Sequence, residues 1–198
     1  PRCIDPEWNE MTDSPVFPLA TTTWDDKEYA AMHRVIESGR FTMGPLVAEF
    51  EQQFADAFGS RYGVMVNSGS SANLLAVAAA VLDPEIDLNP GDEVIVPAVS
   101  WATTYYPLTQ YGLTLRFVDI DIDTLNLDLD QLEAAIGPKT KGVFAVNLLG
   151  NPLDFARLTE IADRHGLVVL EDNCESLGAR ADGRAAGTVG VMGTFSAF

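Results

Sequence analysis

The chain has 198 residues, 47% of them hydrophobic, and sets 12 Lys and Arg against 29 Asp and Glu for a formal net charge of −17. That composition suits one globular domain or a large piece of one. An acidic balance of this size disfavours nucleic acid and anionic membranes, so a phosphorylated ligand has to be held by local donors rather than by a positive field.

No apolar run reads as a membrane span and no stretch reads as a signal peptide. Cys3 and Cys174 form neither a metal-type spacing nor a disulfide framework, which points to a reducing, cytoplasmic setting. Residues 1–17, with three prolines and no periodicity, read as an extended N-terminal arm. An amphipathic helix is expected over 24–38, started by Asp25 and Asp26 and stopped by Gly39. His33 falls within it and reads as a surface or interface residue. A Gly/Pro-punctuated loop, "GRFTMGP", leads to a second amphipathic helix over 46–58. The apolar run 62–66 reads as a buried strand, and the helix pattern "LLAVAAAVL" over 74–82 follows it.

Further strands are expected at 93–97, 114–118, 142–146 and 167–170, and in the closing "GTVGVMGTFSAF". Helices are expected at 103–112, 129–136 and 153–166, the last stopped by Gly166 with His165 offsetting its dipole. Strands alternating with helices predict an α/β fold, a mostly parallel sheet flanked by helices on both faces.

Ligands in such folds collect at the carboxyl ends of the strands. Five distinctive clusters fall there: 67–72, 99–101, 147–151, 171–175 and 194–196. Dinucleotide, P-loop, zinc and hydrolase signatures find no match. The acidic run Asp119, Asp121, Asp123, Asp128 and Asp130 lacks the glycine and distal glutamate of an EF-hand loop and reads as a solvated connector. The turn Gly69-Ser70-Ser71 between strand and helix offers free amides and a helix dipole to a phosphate. Taken alone, it reads first as plain capping by Ser70 or Ser71, with nothing bound. Trp101 taken alone reads as core packing, Asp172 as a loop cap, and Glu175 as a surface carboxylate. Together, a phosphate cup, an aromatic and a carboxylate suit pyridoxal phosphate, whose ring is stacked by an aromatic and kept protonated by an acid.

The motifs "FTMG", "NSGSSANLL", "VPAVSWATTYYPLTQYG", "FVDIDIDTLN", "VNLLGNP", "EDNCESLGA" and "MGTFSAF" resemble, in order, the fold-type I pyridoxal-phosphate enzymes of the nucleotide-sugar aminotransferase family. The resemblance runs from about residue 18 to 198 and implies an aspartate aminotransferase-like large domain over 18–198. It implies that Gly69, Ser70, Ser71 and Ser196 hold the cofactor phosphate, Trp101 stacks on the ring and Asp172 meets the ring nitrogen. Glu175 stands where aminotransferases of the family carry Gln or His. It matches the branch that removes the C3 hydroxyl of a GDP-linked 4-keto-6-deoxy sugar, with glutamate as amino donor, in dideoxysugar and O-antigen biosynthesis.

The same resemblance implies a homodimer, and a catalytic His or Lys five positions after Ser196. That position would be 201, past Phe198, so the chain is expected to be truncated before the small C-terminal domain. Aminotransfer to the same class of nucleotide keto-sugar is the alternative activity. A cofactor-binding, dimerising remnant without catalysis is the second alternative.

Overall fold

The computed structural model describes residues 22–197, so the arm expected over 1–17 lies outside the described residues. The chain divides into two compact units, 1–44 and 45–198. In the first, α1 (Asp26–Ser38) opens on a reciprocal capping box: the Asp25 side chain accepts from Lys27 N, and Glu28 accepts from Asp25 N. Gly39 closes it with a left-handed φ of 64°. His33 lies on its exposed surface.

The second unit holds every other element. These are α2 (Pro45–Phe58), α3 (Gly69–Leu82), β1 (Glu93–Pro97), α4 (Ala102–Gln110), β2 (Thr114–Val118), α5 (Leu129–Ala135), β3 (Thr140–Val146), α6 (Phe155–His165), β4 (Val168–Asn173), the short pair β5 (Arg180–Ala181) and β6 (Arg184–Ala185), and β7 (Met192–Phe195). Five strands form one sheet in the order β2-β1-β3-β4-β7, with every neighbouring pair parallel.

The twofold alternation of strand side chains sorts this sheet into two cores. Ile95, Val143, Ala145 and Val169 face α5 and α6, where they meet Leu132, Phe155, Leu158 and Ile161. Val94, Val96, Phe144 and Leu170 face α3 and α4, where they meet Val77, Ala80 and Leu108. Burial on both faces explains the near-continuous apolar composition of β1 and β3.

The apolar run 62–66 is not a strand. Tyr62 and Val64 are exposed, and the run lies along α2 instead of entering the sheet. Met65 N donates to Glu51 Oε1 at 2.8 Å, and a Cβ on Gly63 would stand 2.7 Å from the Glu51 carbonyl oxygen. An apolar composition marked a buried strand, but the partner this backbone finds is a helix side chain.

The acidic residues of the connector are structural. Asp121 Oδ1 accepts from Asp123 N and Thr124 N, Asp128 caps α5, and Asp130 pairs with Arg157. His165 ends α6 beside Glu133 at 3.3 Å, which agrees with its structural reading.

On the α5/α6 face, Glu171 is fully buried and its carboxylate accepts from Gly187 N, Val189 N and Gly190 N at 2.7–2.8 Å. These bonds shape the loop that delivers β7. The loop packs backbone on backbone there, since a Cβ on Gly193 would lie 2.1 Å from the Gly187 carbonyl oxygen.

Candidate active site

The helix after the glycine-serine turn begins five residues earlier than its apolar pattern suggests. α3 starts at Gly69, so Gly69, Ser70 and Ser71 are its first turn rather than a loop before it. The cap is Ser68, whose hydroxyl accepts from Ser71 N at 3.2 Å, and not Ser70 or Ser71 as the capping alternative had it. Capping therefore satisfies one orphan amide of the first turn. Gly69 and Ser70 have no intrahelical acceptor for theirs.

β7 brings Ser196 against this turn: a Cβ at Gly69 would sit 2.9 Å from Ser196 Cβ and 3.4 Å from its hydroxyl oxygen. Glycine is required there because the end of the last strand occupies the space. Two of the expected anion-binding groups are thus brought together by segments more than 120 residues apart. Phe54 and Phe58 of α2 support the arrangement by packing on the Phe195 ring, with centroids 5.1 and 5.4 Å apart.

Asp172 lies inside β4, not in a loop after it, because the strand runs to Asn173 rather than ending at Leu170. Strand parity puts it on the same face as Leu170, toward α3 and α4, and it is 1% exposed. Its Oδ2 accepts from Asn73 Nδ2 and from the Thr104 hydroxyl, each at 2.8 Å. Its Oδ1 accepts from Cys174 N at 3.1 Å. Thr194 of β7, paired in register with Asp172, donates to Asn73 Oδ1 at 2.5 Å.

Trp101 is the N-cap residue of α4, 66% exposed, and Thr104 sits one turn further along the same helix. The core-packing alternative for Trp101 therefore fails. Its ring is free to cover a ligand at the end of the sheet. Glu175 is exposed, and its Oε2 accepts from Leu149 N at 2.7 Å. That bond holds a tight turn, Leu148–Gly150, in which Leu149 adopts a left-handed φ of 52°. Such a conformation is costly for a side chain that starts with Cβ. Behind it, the Asn147 side chain donates to Asn173 Oδ1 and accepts from Leu153 N, which fixes the end of β3 to the end of β4.

Burial pushes the Cys174 thiol up to about 12, with the Asp172 and Glu175 charges acting in the same direction. The thiol is therefore a packing group here and not a nucleophile. Burial likewise raises Tyr105, whose hydroxyl donates to the Pro97 carbonyl at 2.7 Å.

Asn73, Thr104 and Thr194 are absent from the expected site residues. For Asn73 a signal existed: it is the single polar residue in "ANLLAVAAAVL", and a buried amide in an apolar helix needs partners. Thr104 and Thr194 carried none, since threonine suits a helix start or a strand without any ligand.

These residues fit a pyridoxal-type cofactor on chemical grounds. A helix start with orphan amides meets a serine at one end. A buried carboxylate surrounded by donors stands at the other. An exposed indole lies beside them. Among the described residues no group of His, Cys, Asp and Glu could hold a metal ion, and no helix is long and apolar enough to cross a membrane.

The sequence model of the DegT/DnrJ/EryC1/StrS aminotransferase family matches residues 22–198. GDP-4-keto-6-deoxy-D-mannose 3-dehydratase of Yersinia pseudotuberculosis is 59% identical over 182 residues, covering 92% of this chain and 46% of that protein. The solved Escherichia coli GDP-4-keto-6-deoxy-D-mannose-3-dehydratase with bound hydrated PLP is 55% identical, with a TM-score of 0.89 over 92% of this chain and 47% of that one. A GDP-4-keto-6-deoxymannose-3-dehydratase structure with a trapped PLP-glutamate geminal diamine matches with the same identity, coverage and TM-score. The chain spans about half the length of these relatives.

Proposed function

The chain belongs to the DegT/DnrJ/EryC1/StrS aminotransferase family, and on that premise we propose that it supplies the cofactor-binding large domain, over residues 18–198, of a pyridoxal phosphate- and glutamate-dependent dehydratase. Its substrate is GDP-4-keto-6-deoxy-D-mannose, and the reaction removes the C3 hydroxyl. The observation that carries this reading is the tie between the two ends of the site. The helix that opens at Gly69 also donates, through Asn73, to the buried Asp172.

In this reading the first-turn amides at Gly69 and Ser70, with the hydroxyls of Ser70, Ser71 and Ser196, hold the phosphate. Trp101 covers the ring face and excludes water from it. Asp172 accepts the ring N–H and keeps that nitrogen protonated. Glu175 is assigned to the ring hydroxyl. When bound, pyridoxal phosphate supplies an amine carrier charged by glutamate and a ring that accepts electrons released at the sugar. The protein works as a homodimer in the cytoplasm, with residues 1–17 as an arm.

The family's aminotransferase members favour one alternative, transfer of the amino group to the sugar at C4. A single assay separates the two. The purified protein is incubated with pyridoxal phosphate, glutamate and GDP-4-keto-6-deoxymannose. Ammonia released in step with a 4-keto-3,6-dideoxy product is the expected result. A stable 4-amino sugar without ammonia assigns it to the alternative, and no reaction together with no retained cofactor chromophore removes both.

A further inference from the structure

We infer that Asn73, Thr104 and Thr194 are positioning residues: they hold the Asp172 carboxylate in one orientation toward the cofactor's ring nitrogen, and so set its distance from the phosphate turn. The inference rests on the cofactor site proposed above.

Three separate elements each send one polar side chain to this place, Asn73 from α3, Thr104 from α4 and Thr194 from β7. All three are at most 5% exposed, in a face otherwise built from Val77, Leu108, Phe144 and Leu170. A buried polar network is retained at a cost that well-packed apolar side chains would avoid. Here every member is satisfied and directional. The Thr104 hydroxyl gives its proton to Asp172, so the Ser100 hydroxyl, 2.9 Å away, donates into Thr104 in turn.

Asn73 is held in a single amide orientation. Its Nδ2 has two acceptors, Asp172 Oδ2 and the Thr103 carbonyl, and its Oδ1 receives the Thr194 hydroxyl. The Thr103 carbonyl is available because its helical partner four residues on is Pro107, which has no N–H. The proline inside α4 thus leaves an acceptor that the Asn73 amide fills, and the amide is locked with its other hydrogen on Asp172.

Asn73 also lies four residues after Gly69, on the same face of α3. One rigid helix therefore carries the phosphate turn at its first turn and the grip on Asp172 at its second. The spacing between phosphate and ring-nitrogen contacts is built into it.

The test uses the purified holoprotein and 15N-labelled pyridoxamine 5′-phosphate. It compares the wild type, Thr104→Val, Asp172→Asn and the double variant. Two quantities are read: the cofactor dissociation constant and the ring 15N chemical shift, which reports ring-nitrogen protonation. Thr104→Val is expected to weaken binding about tenfold, as for loss of a hydrogen bond to a charged group, and to move the shift toward the unprotonated value. Thr104→Ser restores both. In the Asp172→Asn background, Thr104→Val adds less than about twofold, because it acts through Asp172.

Asn73→Leu is measured in the same cycle and decides the matter if Thr104→Val does not fold. Substitutions that leave both quantities unchanged while Asp172→Asn alters them overturn the inference alone. So does a full tenfold effect in the Asp172→Asn background. If Asp172→Asn itself changes neither quantity, the cofactor reading falls and the inference falls with it.

Discussion

Cys174 shows how position, rather than residue type, sets reactivity. It follows Asp172 by two residues and is the one cysteine among the described residues, so a reader of sequence could take it for a nucleophile. Burial and the neighbouring carboxylates raise its pKa instead. A raised value means that the folded protein keeps the proton, and that the thiolate forms only as pH climbs toward about 12. At pH 8, iodoacetamide should label Cys174 roughly 10³-fold more slowly than a free cysteine. Labelling should recover in denaturant, as read by peptide mass spectrometry. Ready labelling of the folded protein at pH 8 would contradict the half-buried placement of the thiol beside Asp172 and Glu175. Asp172 presents the complementary case. Its type and place in the chain were legible, but the two side chains that grip it, Asn73 and Thr104, come from 99 and 68 residues away, and Thr194 of the neighbouring strand holds Asn73 in turn.

At the scale of elements, boundaries decided what the site contains. α3 begins at Gly69 because Ser68 caps it, and that shift turns a glycine-serine loop into a helix start with amides to offer. β4 runs past Leu170 to Asn173, and its twofold alternation sends Glu171 and Asp172 to opposite faces. One of these neighbours builds the loop to β7 and the other serves the ligand face. Glu171→Gln places an N–H₂ group among three backbone N–H donors. It should lower stability by about 3 kcal/mol, seen as a lower urea midpoint. Loss of the loop should also loosen Thr194 and Ser196 and weaken cofactor retention. Unchanged stability would mean that the loop is held by its own tight backbone packing rather than by the carboxylate.

At the scale of the whole molecule, the sheet order β2-β1-β3-β4-β7 places β3 at the centre with β4 between it and β7, and collects the carboxyl ends of these three on one edge. Phe144, fully buried on β3, joins the α3/α4 core beneath that edge. Phe144→Ala should cost about 3–5 kcal/mol, measured by chemical denaturation. A cost under about 1 kcal/mol would show that this face is loosely packed.

The α/β class, the parallel sheet and the clusters at the carboxyl ends of its strands were readable in the sequence, because they follow from local periodicity, turn residues and the burial of both sheet faces; the cluster 67–72 is the exception, a helix start that no strand precedes. Gly69, Asp172 and Ser196 were legible as types in an order. The run 62–66 misled, because composition reports that a segment is apolar and not which partner takes its backbone; here that partner is Glu51 of α2. Whether Trp101 packs inward or stands exposed, and that Asn73 bridges Asp172, Thr194 and a carbonyl freed by Pro107, were decided only when α3, α4, β4 and β7 came together. Hydrogen bonds between residues distant in the chain leave no periodic trace in the sequence, so that network exists only in the fold.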